Sequence, residues 1–254
     1  MNKNEPLVTG TLLLEIGALL MSSGANTNRI RLTIKRVADS YGYKADYLIT
    51  HRAIMLTLHN KAEEQVFNQL KQTYNFVPNF RIVSGISRLS WQIVQEQLSL
   101  AEAGEEVERL KVLPHYPRLL ILGVVALACS SFCRLSGGGV IEMSVVFLAA
   151  FVGLFVKQEM GKKQVNAYFG VFFAALTTTL ITGGLANLFT YKNDNMAYIT
   201  AILYLIPGIP FINCTSDILD GNSLNGVIRG INGFAISFAI AAGLILGLFI
   251  YNLV

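Results

Sequence analysis

Charge is scarce in this chain of 254 residues: Lys, Arg, Asp and Glu make up 14% of it, against about 25% in ordinary soluble domains. The balance is only +4 and contains no dense Lys/Arg block, which leaves nucleic-acid binding without support. Cysteine is equally sparse. Cys129, Cys133 and Cys214 all fall in or beside apolar runs, so an extracellular disulfide framework is excluded. Cys129 and Cys133 would share a helical face, but no histidine stands near them to complete a metal site, and inert buried thiols are expected. His51, His59 and His115 likewise have no partners at a ligand spacing.

The sequence also lacks HExxH, GxSxG, a phosphate-binding GxxxxGK[ST] loop and a Gly-rich dinucleotide fingerprint. No enzyme class and no ATP-driven pump is supported, and no cofactor is implied. A carboxylate dyad of Asp217 and Asp220 is the one hydrolytic arrangement that helical spacing would allow. The opening MNKNEPLVTG leads into TLLLEIGALLMSSGAN, which carries Glu15 and no convincing cleavage site, so a secretory signal is not expected.

What the sequence has in abundance is apolar residues, 53% of the total. They are unevenly placed. Residues 1–113 hold 13 Lys/Arg and 11 Asp/Glu, whereas residues 114–254 hold 7 and 5. The expected fold is an α-helical integral membrane protein with five transmembrane helices, preceded by a small cytosolic α+β domain at 1–113. Five runs after Pro117 approach the roughly 20 residues needed to cross a bilayer: 117–134, 139–156, 164–189, 196–214 and 228–252. The first is rich in small residues (Gly123, Ala126, Ala128, Ser130, Ser131), which suits close packing between helices.

In the polar part, an apolar helix at about 8–22 is followed by SSGAN, which reads as a helix–turn–helix join. RIRLTIKRVADSYG places Ile30, Ile34, Val37, Ala38 and Tyr41 at helical spacing, with Gly42 as its stop. DYLIT and AIMLTLH read as strands, 62–74 leans to strand, and NFRIVSG is a further strand candidate. SRLSWQIVQEQL reads as an amphipathic helix, and SLAE at 99–102 as a capping box opening the next.

Orientation follows from the basic residues, which favour cytoplasmic loops. With the N-terminal domain inside, Lys111, Arg118, Lys157, Lys162, Lys163 and Arg229 are cytoplasmic, whereas Arg134 and Lys192 alone are external. This predicts a cytoplasmic N-terminus and an external C-terminus. Glu142 and Arg134 flank the turn at 137–139 as packing or interfacial charges.

The fourth run departs from a plain anchor. In LYLIPGIPFINCTSDILDGNSLNGVIRG, Pro207 and Pro210 each remove a backbone donor, so the helix should break at PGIP. In lipid such a break is tolerated only when buried or lining a cavity, and transporters use it to present half-helix ends to a polar substrate. Asn213, Thr215 and Asp217 follow the break, and Arg229 opens the last run. Charges at membrane depth cost about 2.5–3.5 kcal/mol and are usually paired or functional. Asp217 and Arg229 therefore stand between two readings, contact with substrate or a mutual salt bridge closing the loop. Asp220-Gly221-Asn222 reads as a turn.

SGAN, PRLLILGVVALACSSFCRLSGGGVIE at 117–142 and the pattern Pro207, Gly208, Pro210, Asn213, Asp217, Gly221, with Gly226 and Arg229 beyond it, together resemble the bacterial threonine/serine exporter family. The nearer resemblance is to its short members, which contain only the N-terminal half. That resemblance implies multi-pass residence in the bacterial inner membrane and export of threonine/serine or of dicarboxylates such as succinate. It also implies a second small membrane subunit supplying the missing C-terminal half, with a higher oligomer open. Pro207, Gly208, Pro210, Asn213, Asp217 and Arg229 are the expected substrate-binding residues. The alternative is a membrane-anchored ligand-sensing or interaction protein without transport activity, for which a broken helix would serve no purpose.

Overall fold

A computed structural model describes residues 5–73, 78–113, 116–189 and 194–251. His115 and Lys192, weighed above, lie outside them, as does the end of the last predicted span. The residues fall into two compact units, Met1–His115 with Phe211–Gly230, and Tyr116–Pro210 with Ile231–Val254. The stretch 211–230, which composition alone assigns to the membrane part, groups with the N-terminal residues.

The first unit begins with two helices, α1 (Glu5–Ser22) and α2 (Thr27–Ser40), joined by a tight turn at SSGAN. Three antiparallel strands follow in the order β1 (Lys44–Ile49), β2 (Ala53–His59), β3 (Gln65–Gln72), and then α3 (Phe80–Glu96) and α4 (Leu100–Lys111). Leu48, Met55 and Leu70 stand opposite one another across the outer face of the sheet, while the alternate residues Ile54, Leu56 and Leu58 of the central strand are fully buried. Their partners in the core are Leu13, Ile16 and Leu20 of α1, Ile30 and Ile34 of α2, and Ile86, Leu89 and Ile93 of α3. α1 is long and apolar enough to cross a membrane, yet more than half of it is buried here because it is the helix on which the sheet and the other helices pack.

The strand expected at NFRIVSG is instead the first two turns of α3. Asn79 caps it by accepting from the Arg81 N–H at 3.1 Å, and Val83, Ile86, Leu89 and Ile93 then bury one continuous helical stripe. Local β-propensity in a few residues loses to that longer period. The capping box at Ser99 and Glu102 is present, the ambiguous run at 62–74 contains β3, and Gly42, at φ +78°, follows the end of α2.

The second unit contains α5 (Arg118–Leu135), α6 (Val140–Lys162), α7 (Ala167–Leu188), α8 (Asp194–Ala201) and the later part of α10 (Ser223–Ile250). Among the described residues, α1 together with α5, α6, α7 and α10 makes five helices long and apolar enough to span a bilayer. One core cluster of this unit is built mainly from small residues, Ala126, Cys129, Cys133, Ala149, Ala150, Ala197 and Ala201, so helices approach closely there. α5 presents only one face to it. Leu119, Leu120, Val124 and Leu127 remain exposed on the other, as suits a lipid-facing surface. Glu142 is buried and caps α6 by accepting from the Gly139 N–H (3.1 Å), while Arg134 donates to the Gly138 carbonyl (3.2 Å).

The expected break in the fourth run is present. Residues Met196–Leu205 end in a 3₁₀ turn, the chain breaks at Ile206 and Pro207, and α9 (Gly208–Leu219) starts afresh, bent by 63° from the segment before it. Pro207 stands in the break. Pro210 is in the first turn of α9, where backbone N–H groups have no intrahelical acceptor, so its missing donor costs the helix nothing.

Candidate functional site

The SSGAN turn is where the polar residues after the break converge. Gly24 takes φ +95°, a conformation that favours glycine, and reverses the chain between α1 and α2. Asn26 then caps α2, its Oδ1 accepting from the Arg29 N–H at 2.9 Å. The turn still offers two backbone carbonyls, the Asn26 amide and the Thr27 N–H. Each finds a partner among residues 213–229.

Two helices present those partners at helical spacing. On α9, Asn213, Ser216 and Asp217 lie within one turn of each other on one face. Asn213 Nδ2 donates to the Gly24 carbonyl (3.0 Å), Asn26 Nδ2 donates to Ser216 Oγ (2.9 Å), and Asp217 Oδ1 accepts the Thr27 N–H (2.9 Å). On α10, Asn225 and Arg229 are four residues apart. Asn225 Nδ2 reaches the Ile49 carbonyl (2.9 Å) and Thr27 Oγ1 (3.3 Å), and Arg229 Nη2 donates to the Ala25 carbonyl (3.2 Å).

Asp217 is completely buried, and the Arg229 side chain is 14% exposed. Arg229 Nη1 lies 3.1 Å from Asp217 Oδ2, but neither atom is aligned for a hydrogen bond, so the contact is an ion pair only. The carboxylate sits at the N-terminus of α2, where the exposed N–H groups and the helix dipole favour an anion. One buried negative charge is thus matched by a guanidinium and a helix end, which is what a charge this deep requires.

The turn between α9 and α10 sets this arrangement. The Asn222 N–H returns to the Asp217 carbonyl (2.7 Å) and the Gly221 N–H to Ile218 (3.1 Å), with Gly221 at φ +79°, the pattern of a Schellman stop. Gly226 lets the two helices meet: a Cβ there would stand 2.6 Å from Ile218 Cγ1 and 2.9 Å from the Cys214 carbonyl oxygen. Asp220 is exposed in the turn and touches the cluster only at its edge, accepting from Ser216 Oγ at 3.4 Å.

Of the six residues singled out from sequence, Asn213, Asp217 and Arg229 are therefore brought together, all within the first unit. Pro207, Gly208 and Pro210 belong to the preceding break, in the second. Asn26, Thr27, Ser216 and Asn225 escaped the sequence reading, although Asn225 stands four residues before Arg229 just as Asn213 stands four before Asp217. His51, in the β1–β2 turn, is held below the usual histidine range, first by desolvation and then by the Arg52 and Arg229 charges. Among the described residues no group of His, Cys, Asp and Glu could hold a metal ion.

The family model described as "Putative threonine/serine exporter" matches residues 11–251. The chain belongs to the threonine/serine exporter family. It is 25% identical over 95% of its length to the "Probable succinate transporter subunit YjjP" of Escherichia coli (strain K12), covering 94% of that protein. It is 22% identical over 99% of its length to the protein of the same name in Klebsiella aerogenes, covering 97% of it. No solved structure matches the chain. Family membership together with the apolar helices makes it a multi-pass membrane protein of a transporter family.

Proposed function

We propose that this chain is the membrane subunit of a secondary exporter of small carboxylate-bearing metabolites, working with a second small membrane polypeptide. The observation that carries the reading is the broken run, Met196–Leu205 and Gly208–Leu219 at 63°, within a chain of this family. A break frees backbone carbonyls and a half-helix end, groups that a polar solute can use and an anchor cannot. We place the substrate route at that break, with Pro207 and Gly208 shaping it. The relatives named as succinate transporter subunits make a dicarboxylate the first substrate to test, ahead of threonine and serine. The word subunit in those names supports the partner polypeptide, and the loop charges support a cytoplasmic N-terminal unit.

The test is efflux of labelled succinate, threonine and serine from cells lacking family members, with the chain alone, with the partner, and with both. The reading expects efflux only with both. Efflux absent in all three arrangements, with both polypeptides inserted, would refute it. Full activity of the reconstituted single chain would refute the partner.

A further inference from the structure

The residues that follow the break look like a substrate site in sequence, yet in the structure Asn213, Asp217 and Arg229 are engaged with the chain's own α1–α2 turn, while Thr215 turns back to the Phe211 carbonyl of its own helix. Resting on the exporter reading above, we infer that Asn213, Ser216, Asp217, Asn225 and Arg229 are positioning residues, which keep the α9–α10 hairpin docked on the α1–α2 turn throughout the transport cycle.

Three observations support this. First, the hairpin's contacts to residues 24–27 and 49 involve five side chains and serve backbone groups that have no other partner in the turn: the Gly24 and Ala25 carbonyls and the Thr27 N–H. Recognition of main-chain atoms by paired residues on two helices is how a fixed joint is built, because it specifies one register. Second, Asp217 has no exposed surface, and its Oδ1 already accepts from Thr27, so a solute could reach it only after the joint had opened. Third, opening would leave Asp217, Arg229 and the first N–H of α2 unmatched together, the costly way to break a buried charge pair. A joint of that kind is expected to move as one body with the unit that holds it.

The test uses the full chain with its partner, in membranes. Cysteines are placed at the contacting pair, N26C with S216C, in a C214A background. Bridging is attempted with oxidant and, in parallel, with a short bismaleimide. Rapid cross-linking is expected, and the oxidised protein should export at the rate of the same variant after reduction. A loss greater than about twofold that reductant reverses would overturn the inference, since the joint would then have to open. Absence of any cross-link in normally inserted protein would overturn it too.

Saturation kinetics supply the second readout. D217N and R229Q should lose folded protein, with KM unchanged in what remains, and the double variant should recover abundance and export together. Normal abundance in D217N with a KM raised about tenfold, unrescued by R229Q, would make Asp217 a substrate contact and sink the proposal. Should the wild-type pair export nothing, the exporter reading fails alone, because cross-linking and thermal midpoints still report on the docking.

Discussion

Asp217 accepts the backbone N–H of Thr27 at 2.9 Å across 190 residues of sequence. A side chain that the linear pattern places after a broken membrane run thus serves as a cap for a helix near the N-terminus. The contact ties the most distinctive motif of the chain to its first turn, and it makes the stability of the N-terminal unit depend on residues 211–230.

The ion pair is the first place to measure that dependence. Removing one partner of a buried pair leaves the other uncompensated, at a cost of about 3–5 kcal/mol. D217N and R229Q should each lower stability by about 3 kcal/mol, and the double variant should lose clearly less than the sum. Thermal unfolding of detergent-solubilised single and double variants provides the cycle; additive losses would show that the two charges do not interact.

Much of the architecture is legible in the sequence. Apolar run length located α5 and α7 within a few residues and found α6 and α10 without their full extent, since α6 runs on to Lys162 and α10 starts at Ser223. Crossing a bilayer imposes a length that composition reveals, whereas it does not reveal the polar extensions beyond that length. The PGIP break was legible for the equally general reason that proline removes a donor. The site was legible only in part. Asn213, Asp217 and Arg229 stood out as polar residues in an apolar setting, whereas Asn225 looked like an ordinary loop residue, since its acceptor on Ile49 lies 176 positions away. Local pattern contains no term for such a partner. The same limit turned the first turns of α3 into an expected strand: Asn79 as a cap is visible only once the stripe through Ile93 is read as one helix.

Asn225 tests whether the uncharged contacts matter. Asn225→Ala removes a donor from the Ile49 carbonyl and from Thr27 Oγ1, leaving buried acceptors unmet, which costs about 1–3 kcal/mol. The thermal midpoint should fall in N225A and change little in D220N, because Asp220 is exposed, its one contact to the cluster is a long 3.4 Å bond from Ser216, and an asparagine there can still accept it. Equal shifts in the two variants would show that the α1–α2 turn gains nothing from Asn225.

His51 should make this unit sensitive to acid. Its ordinary value of 6.5 is lowered in the fold by burial and by two nearby arginines. Near that pH the unfolded chain therefore binds more protons than the folded one. Stability should be fully present above about pH 6.5 and decline as the pH falls below it. Thermal melts at a series of pH values should show that decline in the wild type and a flatter profile in H51Q. An unchanged slope in H51Q would assign the acid sensitivity to other groups.

Gly226 and Gly208 separate packing from transport. A Cβ on Gly226 would meet Ile218 and the Cys214 backbone, whereas one on Gly208 has nothing within 4 Å. G226A should lose about 1–3 kcal/mol by overpacking and insert poorly. G208A should insert at wild-type levels. If Gly208 lies on the substrate route, its added methyl should nonetheless slow efflux, and wild-type efflux by G208A would remove that residue from the route.

The two prolines make opposite predictions although they stand three residues apart. Pro207 occupies the break itself, between the 3₁₀ turn at Leu203–Leu205 and the start of α9 at Gly208. Pro207→Leu restores a backbone donor and an excellent helix former, so the two segments can join and relax the 63° bend. Pro210 lies in the first turn of α9, where an N–H would have no intrahelical partner, and Pro210→Ala should leave both the break and export nearly intact. Efflux should fall by at least about tenfold in P207L, corresponding to roughly 1.4 kcal/mol in the limiting barrier, with normal membrane abundance. P210A should stay within about twofold of wild type. The comparison is made at matched abundance, because only then does a difference between the prolines report on the break and not on folding. Equal losses in both variants would mean that PGIP acts as a general helix terminator, and the substrate route would have to be sought elsewhere in the chain.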